Sequence, residues 1–220
     1  MEQAAMIQVL GAIAYGELGA HEGAKAKAEA ATDAEERRRW RVIAAQELRH
    51  YKGFTARLTA MGADPQAAMA EFRPALDAYR GTLPADDIED AVWAFLGEGI
   101  ADDLMVWFKT VVDPEMAAFV ASVLADEAEH EGQAAATLRS VIGEDAANAE
   151  AARAAAQTMV NNMIASSGGV GAMSTSPLLA FMRIGRADEL LRLIMRGFAR
   201  RLRVIGIDPN TLNTPFRASA

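Results

Sequence analysis

The chain has 220 residues, 51% of them apolar; 48 are alanines, while Phe, Trp and Tyr together make only 6%. Alanine is the best helix former and a poor strand former, which leaves little room for an all-β sandwich or barrel. With no cysteine, disulfides, thiolate metal sites, iron–sulfur clusters and thiol nucleophiles are excluded, and the net charge of −8 is split between an acidic body and residues 181–220, where eight Arg face three acidic groups.

Helix breakers and caps divide the chain in order. A helical pattern runs from about Glu2 to Ala30, Thr32-Asp33 offers a cap, and a second helix reaches about Met61 before Gly62-Ala63-Asp64-Pro65 ends it. A shorter segment, Pro65 to Tyr79, leads to Gly81-Thr82-Leu83-Pro84, and a third long helix is predicted from about Pro84 to Val111. Asp113-Pro114 opens a fourth that reaches about Ile142, and Gly143 closes it. An alanine-rich helix follows over about Glu144 to Ala165, then a flexible Ser/Gly loop at 166–171. A last helix covers roughly Ala187 to Ile205, and the tail after Asp208-Pro209 is expected to be poorly ordered.

The second and fourth helices are amphipathic. One places Trp40, Ile43, Glu47, His50, Phe54 and Leu58 at helical spacing, the other Met116, Phe119, Val123, Glu127, His130, Ala134 and Leu138. Each apolar stripe is interrupted by a carboxylate and an imidazole, which is costly unless the charge finds a partner or a metal.

Glu47-Leu48-Arg49-His50 and Glu127-Ala128-Glu129-His130 are both Glu-x-x-His, and residues three apart on a helix project from one face. A lone mid-helix Glu precedes each motif: Glu17 by 30 residues and Glu98 by 29. The halves are offset by 81 residues from Glu17 to Glu98 and by 80 from Glu47 to Glu127 and from His50 to His130, an internal pseudo-repeat of helix pairs. One Glu-x-x-His arises by chance in many helical chains; two copies with matched partners are a specific signal. In antiparallel pairs the six side chains meet at one level of a four-helix bundle. Four Glu and two His in this order are the ligand set of ferritin-like di-iron or di-manganese bundles, where carboxylates bridge hard cations and imidazoles suit iron.

Around this set, Asp126 stands one turn before His130 and could accept its free ring N–H, with Gln46 in the equivalent place of the first half. Asp102, four residues after Glu98, is either close to the metal or at the surface. His21 reads as a bundle-edge histidine, and Tyr15, Tyr51, Trp93, Phe95 and Phe108 as packing residues. On the last helix Arg192, Arg196, Arg200 and Arg203 share a face opposite Leu191, Ile194, Phe198 and Ile205. That stripe suits the phosphates of a nucleic acid or the chain's own acidic surface, and without interleaved aromatics it does not indicate base stacking.

These residues resemble the ferritin-like superfamily of di-iron carboxylate proteins, and more narrowly the tRNA 2-methylthio-isopentenyl-adenosine hydroxylases. The likeness rests on the ligand pattern, the crossover near 62–84, the segment Leu96-Gly97-Glu98-Gly99-Ile100-Ala101-Asp102 and the extra C-terminal helices. It implies an all-α, ferritin-like four-helix bundle in a single domain over 1–220. Residues 1–142 would form the di-metal core and 143–220 a helical extension. Glu17, Glu47, His50, Glu98, Glu127 and His130 fall on the metal-ligand positions of that superfamily. The activity implied is a non-haem di-iron monooxygenase that hydroxylates an organic substrate, a modified tRNA nucleoside being one candidate. Two iron ions are expected, with manganese left open, and dioxygen and a ferredoxin or reductase as partners; a homodimer is left open. A ferroxidase and a metal-free helical interaction protein are the alternatives. The N-terminus lacks a basic segment and no long uninterrupted apolar run occurs, so a cytoplasmic location without a membrane span is expected.

Overall fold

A computed structural model describes residues 3–81, 87–167, 177–183 and 187–213. The described residues are all-α, with helices α1 (Gln3–Ala30), α2 (Ala34–Ala60), α3 (Pro65–Ala70), α4 (Arg73–Gly81), α5 (Asp87–Phe108), α6 (Pro114–Glu144), α7 (Ala146–Ser167), α8 (Pro177–Arg183) and α9 (Ala187–Val204). They fall into two compact units, Met1–Arg80 with Thr175–Gly185, and Gly81–Ser174 with Arg186–Ala220.

In the first unit α1 and α2 run antiparallel. The Gln3 side chain donates to the Met61 carbonyl (3.0 Å) at one end, and Lys27 lies over the Trp40 ring (4.6 Å) at the other. The turn between them is set by Asp33, whose carboxylate accepts the Glu36 amide at 2.7 Å and offsets the positive end of α2. Gly62 ends α2 at φ 77°, the left-handed conformation that glycine adopts without a Cβ penalty. Asp64 and Pro65 then start α3 at once, with Asp64 accepting from the Gln66 amide at 2.9 Å. The shorter segment read from Pro65 to Tyr79 thus holds two helices, divided where Phe72 turns into the core. Gly11 lets α1 approach α3 closely, because a Cβ there would meet the Ala68 carbonyl.

In the second unit α5 packs against α6, α7 and α9. Trp93, Leu96, Leu138, Ala156, Leu202 and Ile205 are among the residues of its buried core. The small faces of the alanine-rich α7 admit this close packing: Ala152, Ala155 and Ala156 are all buried. Asp113 caps α6 by accepting the Met116 amide at 3.0 Å, with Pro114 in the first turn. Asp113→Ala is expected to lower stability by about 1 kcal/mol, read as a shifted urea midpoint; an unmoved midpoint would remove the cap from the account.

The chain after Asp208 departs from expectation. Gly206 (φ 92°) closes α9, and Asp208 caps a 3-10 turn over Pro209–Thr211. Leu212 is buried, and Asn213 exchanges hydrogen bonds with the Gln157 side chain (2.7 and 3.3 Å). Residues 208–213 are therefore docked on α7 because an apolar side chain and a backbone pair hold them. The rest of the expected tail, residues 214–220, and of the Ser/Gly loop, 168–171, lies outside the described residues, as does the predicted helix start at 84–86; Ser166 and Ser167 close α7. Helix α8, with Ala180 and Phe181 buried, was missed because a seven-residue helix carries too few repeats to show a period.

Candidate metal centre

In the first unit α1 contributes Glu17 and α2 contributes Glu47 and His50. The antiparallel register sets the middles of the two helices side by side. His50 Nδ1 lies 3.4 Å from Glu17 Oε2 and 3.5 Å from Glu47 Oε2. One donor atom from each of the three residues falls within 4.8 Å of the others. His50 is 1% exposed and Glu47 4%, with Phe54 and Leu58 fully buried below them on the same face of α2. Two carboxylates converge on one buried imidazole nitrogen at distances beyond a good hydrogen bond. Donors that each sit about 2.0–2.2 Å from a shared cation are spaced in this way. The oxygen-rich set with one imidazole suits iron or manganese, so these residues fit a metal ion.

The second unit repeats the motif. His130 Nδ1 is 3.2 Å from Glu127 Oε2 on α6, and both side chains are largely buried. A small cavity is lined by Phe95, Glu98, Gly99 and Asp102 of α5 and by Glu127, His130 and Glu131 of α6. Glu98 therefore shares a cavity with Glu127 and His130 but is more exposed than its counterpart Glu17. Asp126 and Gln46 are half-buried.

Asp102 lies deeper than a surface carboxylate. Burial pushes its pKa up to about 8, reinforced by the negative charge of Glu127, while Arg201 pulls the other way. Arg201 wins little because its guanidinium is already shared. It meets Asp103 at 2.8 Å and Glu131 at 2.9 Å, and lies 3.8 Å from Asp102. Burial likewise raises Asp103. Burial also opposes ionisation of Glu131, but its hydrogen bond to Arg200 and the nearby Arg201 charge outweigh this and hold it below the usual range.

Of the four predicted stripe arginines, all are exposed. Arg192 pairs with Asp188 on its own helix, and Arg200 reaches Glu131 at 2.7 Å. The buried face of α9 is Leu190, Ile194, Gly197, Arg201 and Leu202, whereas Leu191, expected there, is 40% exposed. Arg201 escaped the sequence reading although its signal was present: it falls at helical spacing within that apolar stripe, as Glu47 does in its own. His21 and Tyr15 have other partners. The His21 ring bonds the Ala44 carbonyl (2.7 Å) and the Tyr15 hydroxyl donates to Asp77 (2.6 Å). Trp93, Phe95 and Phe108 are buried.

An all-helical fold that buries Glu and His groups able to bind a metal ion defines a ferritin-like protein. A family model described as a ferritin-like domain of actinomycetes matches residues 2–176, and the chain belongs to that family. No curated protein matches the sequence. Among the described residues no helix is long and apolar enough to cross a membrane.

Proposed function

We propose that the two helix pairs combine their halves into one di-iron centre held by Glu17, Glu47, His50, Glu98, Glu127 and His130, and that the protein is a dioxygen-dependent hydroxylase of an organic substrate. The observation that carries this reading is the buried Glu17–Glu47–His50 cluster, matched in the second unit by Glu127 and His130 in contact. Glu47 and Glu127 would be the carboxylates shared between ions, and His50 and His130 the neutral ligands that limit the charge. Iron bound there would supply activation of dioxygen for attack on a C–H bond. The chain's own part is to orient these donors and to exclude water. Phe54 and Leu58 do so under His50, and Phe95 does so beside the second cavity.

Electrons would come from a ferredoxin or reductase, and a cytoplasmic location fits that supply. The test is oxygen consumption by the reduced, iron-loaded protein with candidate substrates, followed by mass spectrometry for one incorporated oxygen atom. Oxygen uptake that tracks added Fe(II) alone, with no organic product, would make the protein a ferroxidase.

The arginine stripe bears on whether the substrate is a tRNA nucleoside. Changing Arg192, Arg196, Arg200 and Arg203 together to Gln is expected to remove about 0.5–1 kcal/mol, since the half-exposed Arg200 gives up its Glu131 partner. That corresponds to a melting shift of roughly 2–4 °C or less in a chain of this size. Salt-sensitive tRNA binding by the parent that the change abolishes, with melting unaltered, would assign the stripe to phosphates instead.

A further inference from the structure

The two halves of the pseudo-repeat differ one helical turn beyond their ligand carboxylates. With the offset of 81 residues Asp102 corresponds to His21, and with the offset of 80 Glu131 corresponds to Tyr51. A residue four positions on projects from the same face as the ligand before it. The first half therefore has an imidazole and a phenol at these positions, and the His21 ring is engaged by the Ala44 carbonyl. The second half has two more carboxylates, and the cavity that holds Glu98, Glu127 and His130 is also lined by Asp102 and Glu131. A cation entering it would meet four carboxylates where the first half offers two.

Two side chains from α9 face the surplus pair: Arg200 bonds Glu131 at 2.7 and 3.2 Å, and Arg201 reaches Glu131 and stands near Asp102. Arg201 is 2% exposed. Its Nε and Nη2 both lie 2.9 Å from Glu131 Oε2, Nη2 stands 3.8 Å from Asp102 Oδ2, and Nη1 bonds Asp103 Oδ2 at 2.8 Å. One planar fork thus reaches α5 and α6 together, which a lysine ammonium cannot do. The backbone makes room for it. A Cβ at Gly99 would run into the Arg201 guanidinium, and one at Gly197 into the Asp103 carboxylate. Buried ion pairs add little net stability over apolar packing of the same volume, so the arrangement is better explained by the position it enforces.

We propose that Arg201 is a positioning residue that turns the Asp102 and Glu131 carboxylates toward itself within that cavity, so that Glu98, Glu127 and His130 are the donors left for a metal ion in the second half. The proposal rests on the di-metal reading above. Without Arg201, Asp102 loses the guanidinium that faces it and Glu131 keeps only Arg200, so a bound ion would gain a carboxylate and a higher coordination number.

Cobalt(II) reports this directly, because its visible d–d bands weaken severalfold as coordination approaches octahedral. The full chain is titrated with Co(II) alone. The parent is expected to bind two equivalents with bands of intermediate intensity. Arg201→Gln should weaken those bands severalfold and change the affinity of one of the two sites by about 10–100-fold. Adding Asp102→Asn and Glu131→Gln to that variant should restore the parent spectrum, which a merely structural arginine would not do. Should Arg201→Gln fail to fold, Arg201→Lys keeps the buried charge but cannot span both helices, and the same loss of intensity is expected from it. A folded Arg201 variant with the parent spectrum overturns the proposal, as does failure of the added substitutions to restore it. A parent chain that binds no Co(II) overturns the di-metal reading itself.

Discussion

Replacing Glu47 and Glu127 together by Ala is expected to lower bound iron from about two ions per chain to well under one, with helix content preserved. Each is the carboxylate of a Glu-x-x-His pair whose imidazole stays behind, at 3.5 Å in the first unit and 3.2 Å in the second. Removing a donor from each half should weaken binding by more than about 100-fold, the upper end of what losing an outer hydrogen bond costs a metal site. The fold should survive because burial of α1 on α2, and of α5 on α6, α7 and α9, supplies the stability. Elemental analysis with circular dichroism reads both effects. Two retained equivalents in the double variant would show that other residues hold the metal.

Replacing the buried Asp102 carboxyl in the α5–α6–α9 network is expected to change how stability depends on pH. Asp102 has its pKa raised to about 8 in the native state, against 3.8 for the free side chain. Between these values the native state binds more protons than the unfolded one, so the metal-free protein loses stability as pH rises through this window. The loss approaches about 1.4 kcal/mol per pH unit and sums to several kcal/mol by pH 9. Asp103, also raised, acts in the same direction. Glu131, held low, contributes stability that is lost as pH falls through its native pKa, so the profile declines on both sides of mildly acidic pH. Asp102→Asn should abolish most of the alkaline decline, raising stability by several kcal/mol at pH 9 and by only about 1–2 kcal/mol near pH 5. Denaturation curves of metal-free protein at pH 5 and pH 9 measure this, and a parallel decline in both proteins would contradict it.

The long helices and the paired Glu-x-x-His motifs were legible in the sequence for one reason: long amphipathic helices repeat their pattern often enough to be read. Asp33 and Asp113 each cap the helix they precede, and Glu47 and His50 are buried as their place in an apolar stripe requires. The division of 65–81 at Phe72 and the short α8 were not legible, because tertiary packing sets both. The docking of 208–213 rests on one buried leucine and a pair of bonds to Gln157, contacts between residues 56 positions apart that no local pattern announces. Glu98 shows the same limit. Its spacing matches Glu17, yet how far it is buried depends on the helices around α5. Arg201 was legible in principle, since it lies at helical spacing from the buried Ile194 and Ile205.

The most direct measurement of the central claim is the metal content and optical spectrum of the purified protein from iron-replete cells. The account predicts close to two irons per chain, with near-ultraviolet absorption from oxo- or carboxylate-bridged ferric iron that disappears on reduction. Protein that retains no metal, and takes up none when Fe(II) is added without oxygen, would contradict it.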